Sequence, residues 1–512
     1  MHEYADAPRT TPPSTSAPLP PRAPAPPPDP ASPERPRVGW REVLTREHLP
    51  RLLVLCLAIW LHAANTMLAA TTMPEAVGDI GGLRLISWAF ALYLMGSIVA
   101  ATAVSAFVAG HGLRRTMLVA TLVYTLGCVI CASAPVMSAL LAGRTVQGLG
   151  GGALVALVYV AQDRFFPNRL VPRIVACLSV VWMMSALCGP LIGGAFATAG
   201  LWRFAFWSFA LQGLVLAAVV HPMLARGEPA DAALEARPVP AARLGLVAGA
   251  IVAISFAGAV GSEAAAAALL GAGCLCLWQF GARDSSAAAG RSRLLPSHAT
   301  DLRHPVGCGI AMSFLLCLCM MSFVVYGPIL LIRLYHLTPL EAGFVIVTES
   351  IGWTAGAFFL SGLAPAREGG LIRLGSALLL AGVAAQAWFV PQGPLWLVVV
   401  SAFLGNAGFG MIWGYVIKRV VGNASGEDRA RAGSMLPSAQ QTAFALGAAL
   451  TGIIAGALGF EQLTRAEEFR MAAVWLFAGF VPPALLGNLL AWRFGALIDT
   501  PRLVRSRSSR RV

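Results

Sequence analysis

From Leu52 to Trp492 the chain alternates long apolar runs with short polar connections. A helix needs roughly 20 apolar residues to cross the ~30 Å hydrocarbon core of a bilayer. Within that core every backbone N–H and C=O must be satisfied internally, so apolar runs of this length read as membrane helices. The pattern predicts fourteen of them, at 52–73, 86–109, 116–134, 138–162, 174–198, 202–223, 244–261, 264–281, 306–332, 341–363, 371–390, 394–417, 432–458 and 471–492. The shortest extend about 27 Å at the helical rise. The pair 244–261 and 264–281, rich in Ala and Gly and joined only by Ser262 and Glu263, stands apart as a hairpin inserted between two sets of six. If that hairpin does not span, twelve helices remain.

Composition agrees. Of 512 residues, 57% are hydrophobic and 12% charged, too apolar and too long for one soluble core. The expected fold class is an all-α polytopic membrane protein. Residues 1–47 form a Pro-rich segment, with 13 Pro in the first 36 positions, that cannot bury enough apolar surface to order itself and is expected to be a disordered tail. An N-terminal bundle over 48–223, a linker with the hairpin over 224–305 (hairpin 244–281), a C-terminal bundle over 306–493 and a basic tail over 494–512 complete the expected organisation. The first long apolar run begins at Leu52, so no signal peptide is expected before it.

The formal charge of +13 does not point to nucleic acid, because the positive residues lie between the apolar runs. With the N-terminus inside, only Arg84, Arg203, Arg333, Arg465 and Arg470 fall in external connections, Arg144 lies within a helix, and the remaining basic residues are cytoplasmic. The positive-inside bias therefore places both termini in the cytoplasm. The basic tail, Arg502, Arg505, Arg507, Arg510 and Arg511, either sets topology or also touches anionic lipid.

Gly148 and Gly152 lie four apart, as do Gly189 and Gly193, so two of the helices carry a strip without side chains against which another backbone can approach. Pro190 removes one helical hydrogen bond from the second. The run Gly143-Arg144-Thr145-Val146-Gln147-Gly148 resembles the fourth-helix motif of the major facilitator superfamily. Gly189-Pro190-Leu191-Ile192-Gly193-Gly194 resembles that superfamily's fifth-helix antiporter motif, and Trp202-Arg203-Phe204-Ala205-Phe206-Trp207 is similar to a signature of its drug:proton antiporters. The helix count resembles the fourteen-helix, multidrug-efflux branch. The resemblance implies two six-helix bundles that rock about a midplane site, and an Arg144 that faces the central cavity and assists proton transfer.

Two departures stand out. The connection Ala109-Gly110-His111-Gly112-Leu113-Arg114-Arg115 resembles the superfamily's loop signature at Gly112, Arg114 and Arg115, but Ala109 replaces the usual Asp and Gly110 the usual Arg. The connection around 364–373 reads as its repeat in the second half. In helix one, Asn65 stands where the family commonly has Asp, and an amide carries no proton. Proton coupling then needs another group.

Intramembrane ionisable residues are expensive and therefore few. His62 shares a helix face with Asn65 and Thr66. Glu349 is the clearest carboxylate in an apolar span, with Trp353 one turn along the same face. It reads as a proton carrier, as a counter-charge for a cationic substrate, or as a structural partner of an Arg; His62 reads as a carrier or as a neutral, hydrogen-bonded imidazole. Asn65, Thr66, Gln147, Trp353, Tyr326 and Trp413 are candidate cavity-lining residues, since flat aromatic faces suit varied lipophilic molecules. Cys128-Val129-Ile130-Cys131 lies inside an apolar helix with no second pair, so no metal site or cofactor is expected. No nucleotide-binding loop or nucleophile triad is present, and no enzymatic activity is expected. The expected function is a monomeric secondary transporter of the bacterial inner membrane, exporting lipophilic or amphipathic small molecules in exchange for protons. A uniporter or importer, and a receptor or scaffold that has lost transport, are the alternatives.

Overall fold

The computed structural model describes residues 40–225, 240–260, 262–286, 293–360, 367–424, 426 and 428–508; of the disordered tail expected over 1–47, residues 1–39 lie outside them. The described residues are helical, with no strand among them: α1 Trp40–Val43, α2 His48–Ile80, α3 Ile86–His111, α4 Leu113–Ala132, α5 Met137–Phe165, α6 Val171–Thr198, α7 Trp202–Ala225, α8 Ala241–Ala257, α9 Glu263–Ser286, α10 Pro305–Tyr335, α11 Pro339–Leu360, α12 Glu368–Gln392, α13 Leu395–Asn423, α14 Asp428–Ala457, α15 Ala466–Ala478 and α16 Val481–Ser508. Twelve stretches among them are long and apolar enough to cross a membrane. Of the fourteen expected spans, α8 (17 residues) and the more polar α14 are the two outside that set, whereas α9 is within it.

Two boundaries differ for identifiable reasons. Helix α2 continues through Pro74 to Ile80, as membrane helices can when neighbouring groups take over the freed carbonyl. The run 471–492, expected as one helix, is two: α15 ends at Ala478 and α16 starts at Val481, directly before Pro482 and Pro483. Prolines are accommodated in a first helical turn and cannot extend a preceding helix. Helix α16 then runs past 493, where a tail was expected, and its Asp499 accepts a hydrogen bond from Arg373 Nη2 at 3.1 Å.

Helices α2 to α7 pack on one another, with α5 between α3 and α4 and with α2 on α6; α10 to α16 form the second bundle around α13 and α10. Glycines set the close approaches. A Cβ at Gly148 would strike Tyr93 O of α3, one at Gly152 would strike Ser97 of the same helix, and one at Gly150 would strike the Tyr124 backbone of α4. Helix α5 thus lies backbone to backbone with two neighbours, which carries its polar residues into the middle of the first bundle.

The bundles meet along two seams, α6 with α11 and α3 with α14. Leu340 N donates to Thr198 Oγ1 at 3.0 Å, and Ser87 of α3 lies against Gly452 of α14. Both contacts belong to the end that carries the connections 81–85, 199–201, 336–338 and 458–465. Toward the other end α6 and α11 turn exposed: Val180 and Met184 on one, Phe358 and Phe359 on the other. The hydrogen bonds and close backbone approaches named between the bundles lie at the first end and around Pro190, so we read the molecule as closed at the first end and parted at the second.

The hairpin packs on the closed end. Helix α8 lies across α3 and α14, with Phe256 edge-on to Trp88 at 4.4 Å between ring centroids and with Gly258 against the backbone of Gly452. Arg84 Nη2 donates to Val260 O at 2.9 Å. Helix α9 packs on α8, and only Gly273 and Asp284 of it are buried. Asp284 pairs with Arg243 and accepts from Leu294 N at 2.9 Å and Leu295 N at 2.8 Å, tying the base of the hairpin.

Candidate functional site

Three arrangements gather the candidate residues. The first is a polar cluster in the middle of the N-terminal bundle. Arg144 is fully buried, and its Nη1 donates to Asn65 Oδ1 at 2.7 Å and to Gln147 Oε1 at 2.6 Å, while Nε donates to Ala89 O at 3.0 Å. Its guanidinium lies 4.2 Å from the centroid of the Tyr93 ring, a cation–π contact. The Tyr93 hydroxyl meets His62 Nδ1 at 3.0 Å. Tyr124 Oη donates to Leu61 O at 2.7 Å, and Gln147 Nε2 donates to Cys128 Sγ at 2.9 Å. Thr66 turns back on its own helix and bonds His62 O. Every partner of Arg144 is neutral: among the described residues no carboxylate pairs with it, and Arg144 Nη2 and Asn65 Nδ2 have no hydrogen-bond partner. A buried guanidinium held only by dipoles is a charge awaiting a counter-charge. The His62 ring also meets Trp182 of α6 edge-on at 5.9 Å, and Trp182 is exposed.

The second arrangement lies wholly within the C-terminal bundle. Glu349 of α11 is buried and hydrogen-bonded to the side chain of Asn406 of α13. It borders a small chamber shared with Gln386 of α12, and no basic side chain pairs with it among the described residues. Trp353, one turn on, packs on Phe409 at 4.8 Å, and Phe409 stacks on Trp413 at 5.5 Å, so two of the aromatic candidates belong to one row. Tyr326 lies elsewhere, buried and edge-on to Phe460.

The third is the junction at Pro190. A proline has no N–H to give to the carbonyl four residues back, and Ser350 Oγ of α11 donates to that carbonyl, Ala186 O, at 3.3 Å. Thr71 Oγ1 of α2 donates to Pro190 O at 2.8 Å. A Cβ at Gly189 would meet Ala64 O at 2.7 Å and one at Gly194 would meet Leu340 Cα at 2.8 Å, while Gly193 faces Leu68 and Thr71. The motif is therefore where α2, α6 and α11 meet across the two bundles.

At the parted end, Gly112 joins α3 to α4 with φ +79°, a backbone that favours glycine. Arg114 and Arg115 follow it in the first turn of α4, with Arg115 exposed. The carboxylate missing at Ala109 has a counterpart in the other bundle: Glu368, buried at the start of α12, pairs with Arg419 and, at 2.8 Å, with Lys418. Among the described residues no cluster of three or more His, Cys, Asp or Glu side chains could hold a metal ion.

The structure brings together His62, Asn65, Arg144 and Gln147, and holds Glu349 apart from them in the other bundle. It adds Tyr93, Tyr124, Gln386, Asn406 and Glu368. Gln386 and Asn406 were findable as amides within the apolar runs 371–390 and 394–417, and Tyr93 as a phenol within 86–109.

Two pseudo-repeated six-helix bundles, parted at one end and carrying buried polar groups midway, define a membrane transporter of the facilitator fold. The chain belongs to the Major Facilitator Superfamily, whose family pattern matches residues 55–424. A protein of Mycobacterium tuberculosis (strain ATCC 25618 / H37Rv) named "Probable multidrug-efflux transporter" is 31% identical over 453 residues, covering 86% of this chain and 95% of that protein. Among solved structures, a D-xylose-proton symporter is similar with TM-score 0.61 and 14% identity, covering 88% of this chain and 98% of its own. A bacterial homolog of the human lysosomal transporter Spinster is similar with TM-score 0.60 and 14% identity, covering 89% and 97%. These two likenesses concern the fold.

Proposed function

We propose that the protein exports lipophilic or amphipathic small molecules across the bacterial inner membrane in exchange for protons, as a monomer with both termini in the cytoplasm. The observation that carries this reading is Glu349, a buried carboxyl with a neutral amide partner and no paired cation among the described residues. Such a group can take up a proton from one side and release it to the other as its surroundings change. The name and 31% identity of the mycobacterial relative support efflux as the direction.

In this reading residues 48–223 and 306–493 are the two rocking units. The closed end faces outward, and the parted end, where the basic connections gather, faces the cytoplasm and admits the compound. The α2–α6–α11 junction at Pro190 closes the outer side, and rocking opens it while the parted end shuts. Arg144, held only by dipoles, responds to charge arriving in the cleft, with His62 and Trp182 between it and the cytoplasmic opening. Trp353 and Trp413 offer flat faces to the transported compound.

The test is proton movement in everted membrane vesicles challenged with a panel of lipophilic cations and neutral drugs, wild type beside Glu349→Gln at equal expression. Antiport predicts that a transported compound collapses the pH gradient through the wild type and that Glu349→Gln abolishes the response. Compound uptake with no proton movement in the wild type would establish a uniporter instead.

A further inference from the structure

The chamber beside Glu349 has a volume of about 20 Å³, room for one water-sized occupant. No organic substrate of the proposed class fits there. Three helices supply its carboxyl and amides, Glu349 from α11, Gln386 from α12 and Asn406 from α13, and the other titratable group in the wall is the thiol of Cys319 on α10; Met320, Leu379 and Val383 make much of the rest. Helices α12 and α13 touch closely at this level, where a Cβ at Gly382 would lie 2.6 Å from Gly405 Cα. Asn406 Nδ2 donates to Ala402 O at 3.2 Å.

A carboxylate in an apolar wall without a cationic side chain needs a mobile positive charge. A proton meets that need with the carboxyl alone. Each of the two amides that border the chamber carries a neutral carbonyl oxygen, the ligand type that hard, weakly polarisable cations take, and Asn406 can turn its oxygen to an ion that replaces its hydrogen bond with Glu349. We propose that this chamber is a sodium site, in which Na⁺ and a proton compete for Glu349 and the amide oxygens of Gln386 and Asn406 serve as neutral ligands. One ion replaces the other, so the charge in the chamber is conserved. The transported compound then does not touch Glu349, and coupling passes from the chamber to the cleft through α11, which carries Glu349 and, one turn on, Trp353. This inference rests on the antiport reading above only for the role of Glu349 in coupling.

The experiment is equilibrium binding of radioactive ²²Na⁺ to the purified full-length protein in detergent. Saturable binding is expected in the wild type, weakening as the solution is acidified. Glu349→Gln is expected to abolish it, and Gln386→Leu and Asn406→Leu to weaken it about tenfold or more. Asn406→Asp, which keeps an oxygen and adds charge, should retain or tighten it while melting like the wild type. Absence of saturable binding to folded wild-type protein overturns the proposal, as does binding indifferent to Glu349→Gln. Proton exchange in vesicles without sodium binding would remove the sodium site and leave antiport standing; sodium binding without proton exchange would do the reverse.

Discussion

Asn65→Asp restores a carboxylate beside the buried Arg144 and should stabilise the fold. In the wild type the Arg144 Nη1 to Asn65 Oδ1 distance is 2.7 Å, both residues are fully buried, and Asn65 Nδ2 has no partner. The substitution is isosteric and replaces the orphaned N–H with a second acceptor. Two unit charges about 4 Å apart attract by about 4 kcal/mol at an effective dielectric constant of about 20. Removing an unsatisfied buried donor contributes about 1–3 kcal/mol more. Burying the carboxylate costs several kcal/mol, which leaves a net gain of about 1–3 kcal/mol. The assay is thermal unfolding of the purified protein in detergent, followed by intrinsic fluorescence, with Asn65→Ala as the companion variant. A raised Tm for Asn65→Asp and a lowered one for Asn65→Ala are expected. A Tm for Asn65→Asp at or below the wild type would refute the claim that Arg144 lacks a counter-charge.

Other outcomes follow from the packing. Gly148→Leu must part α3 from α5 where its Cβ meets Tyr93 O, and overpacking of this kind costs about 1–3 kcal/mol or more. Gly414→Ala, with open space around its Cβ, should be neutral or stabilising by up to about 1 kcal/mol; thermal melts of the two compare them directly. Glu368→Ala leaves Arg419 and Lys418 facing each other, and because Lys418 is largely exposed the loss should be about 1–3 kcal/mol rather than that of a fully buried pair. At the entry to α10, His304 Nδ1 accepts from Val306 N at 3.2 Å while its ring stacks on His298 at 4.4 Å. Burial and the neighbouring His298 hold His304 below the ordinary histidine value, so the folded state binds fewer protons than the unfolded one. The cap is therefore intact above the ordinary histidine value and lost as pH falls through the lowered one, so the protection of the Val306 amide, its exchange rate measured against the intrinsic rate at each pH, should fall on acidification in the wild type but not in His304→Asn.

Much of the fold was legible because a membrane imposes one element type and one length on every apolar run. The helices at 86–109, 138–162, 174–198 and 202–223 appear within a few residues of where the pattern puts them. What a run does at its ends is less visible. The stop before Pro482 could have been read from two adjacent prolines, but the continuation of α16 to Ser508 involves Asp499 and a distant Arg373. The Gly-rich spacing announced that α5 and α6 would be approached closely and left open by which neighbours. Only the crossing of α5 with α3 shows that Tyr93 lies over Arg144. Similarly, Glu349 was conspicuous as a lone carboxylate, whereas Gln386 and Asn406 join it through the close contact of α12 with α13. Pairings between helices depend on which strips meet, and a strip does not name its partner.

The proposed exchange of an exported compound for protons runs through Glu349. It is tested most directly by following both fluxes at once in proteoliposomes of the purified full-length protein, with a pH-sensitive dye inside and a fluorescent lipophilic cation as cargo. Antiport predicts cargo movement against its gradient, driven by an imposed pH difference, with proton flow of opposite sense, and loss of both in Glu349→Gln. Cargo movement that only ever runs down its own gradient, equal in wild type and Glu349→Gln, would contradict it.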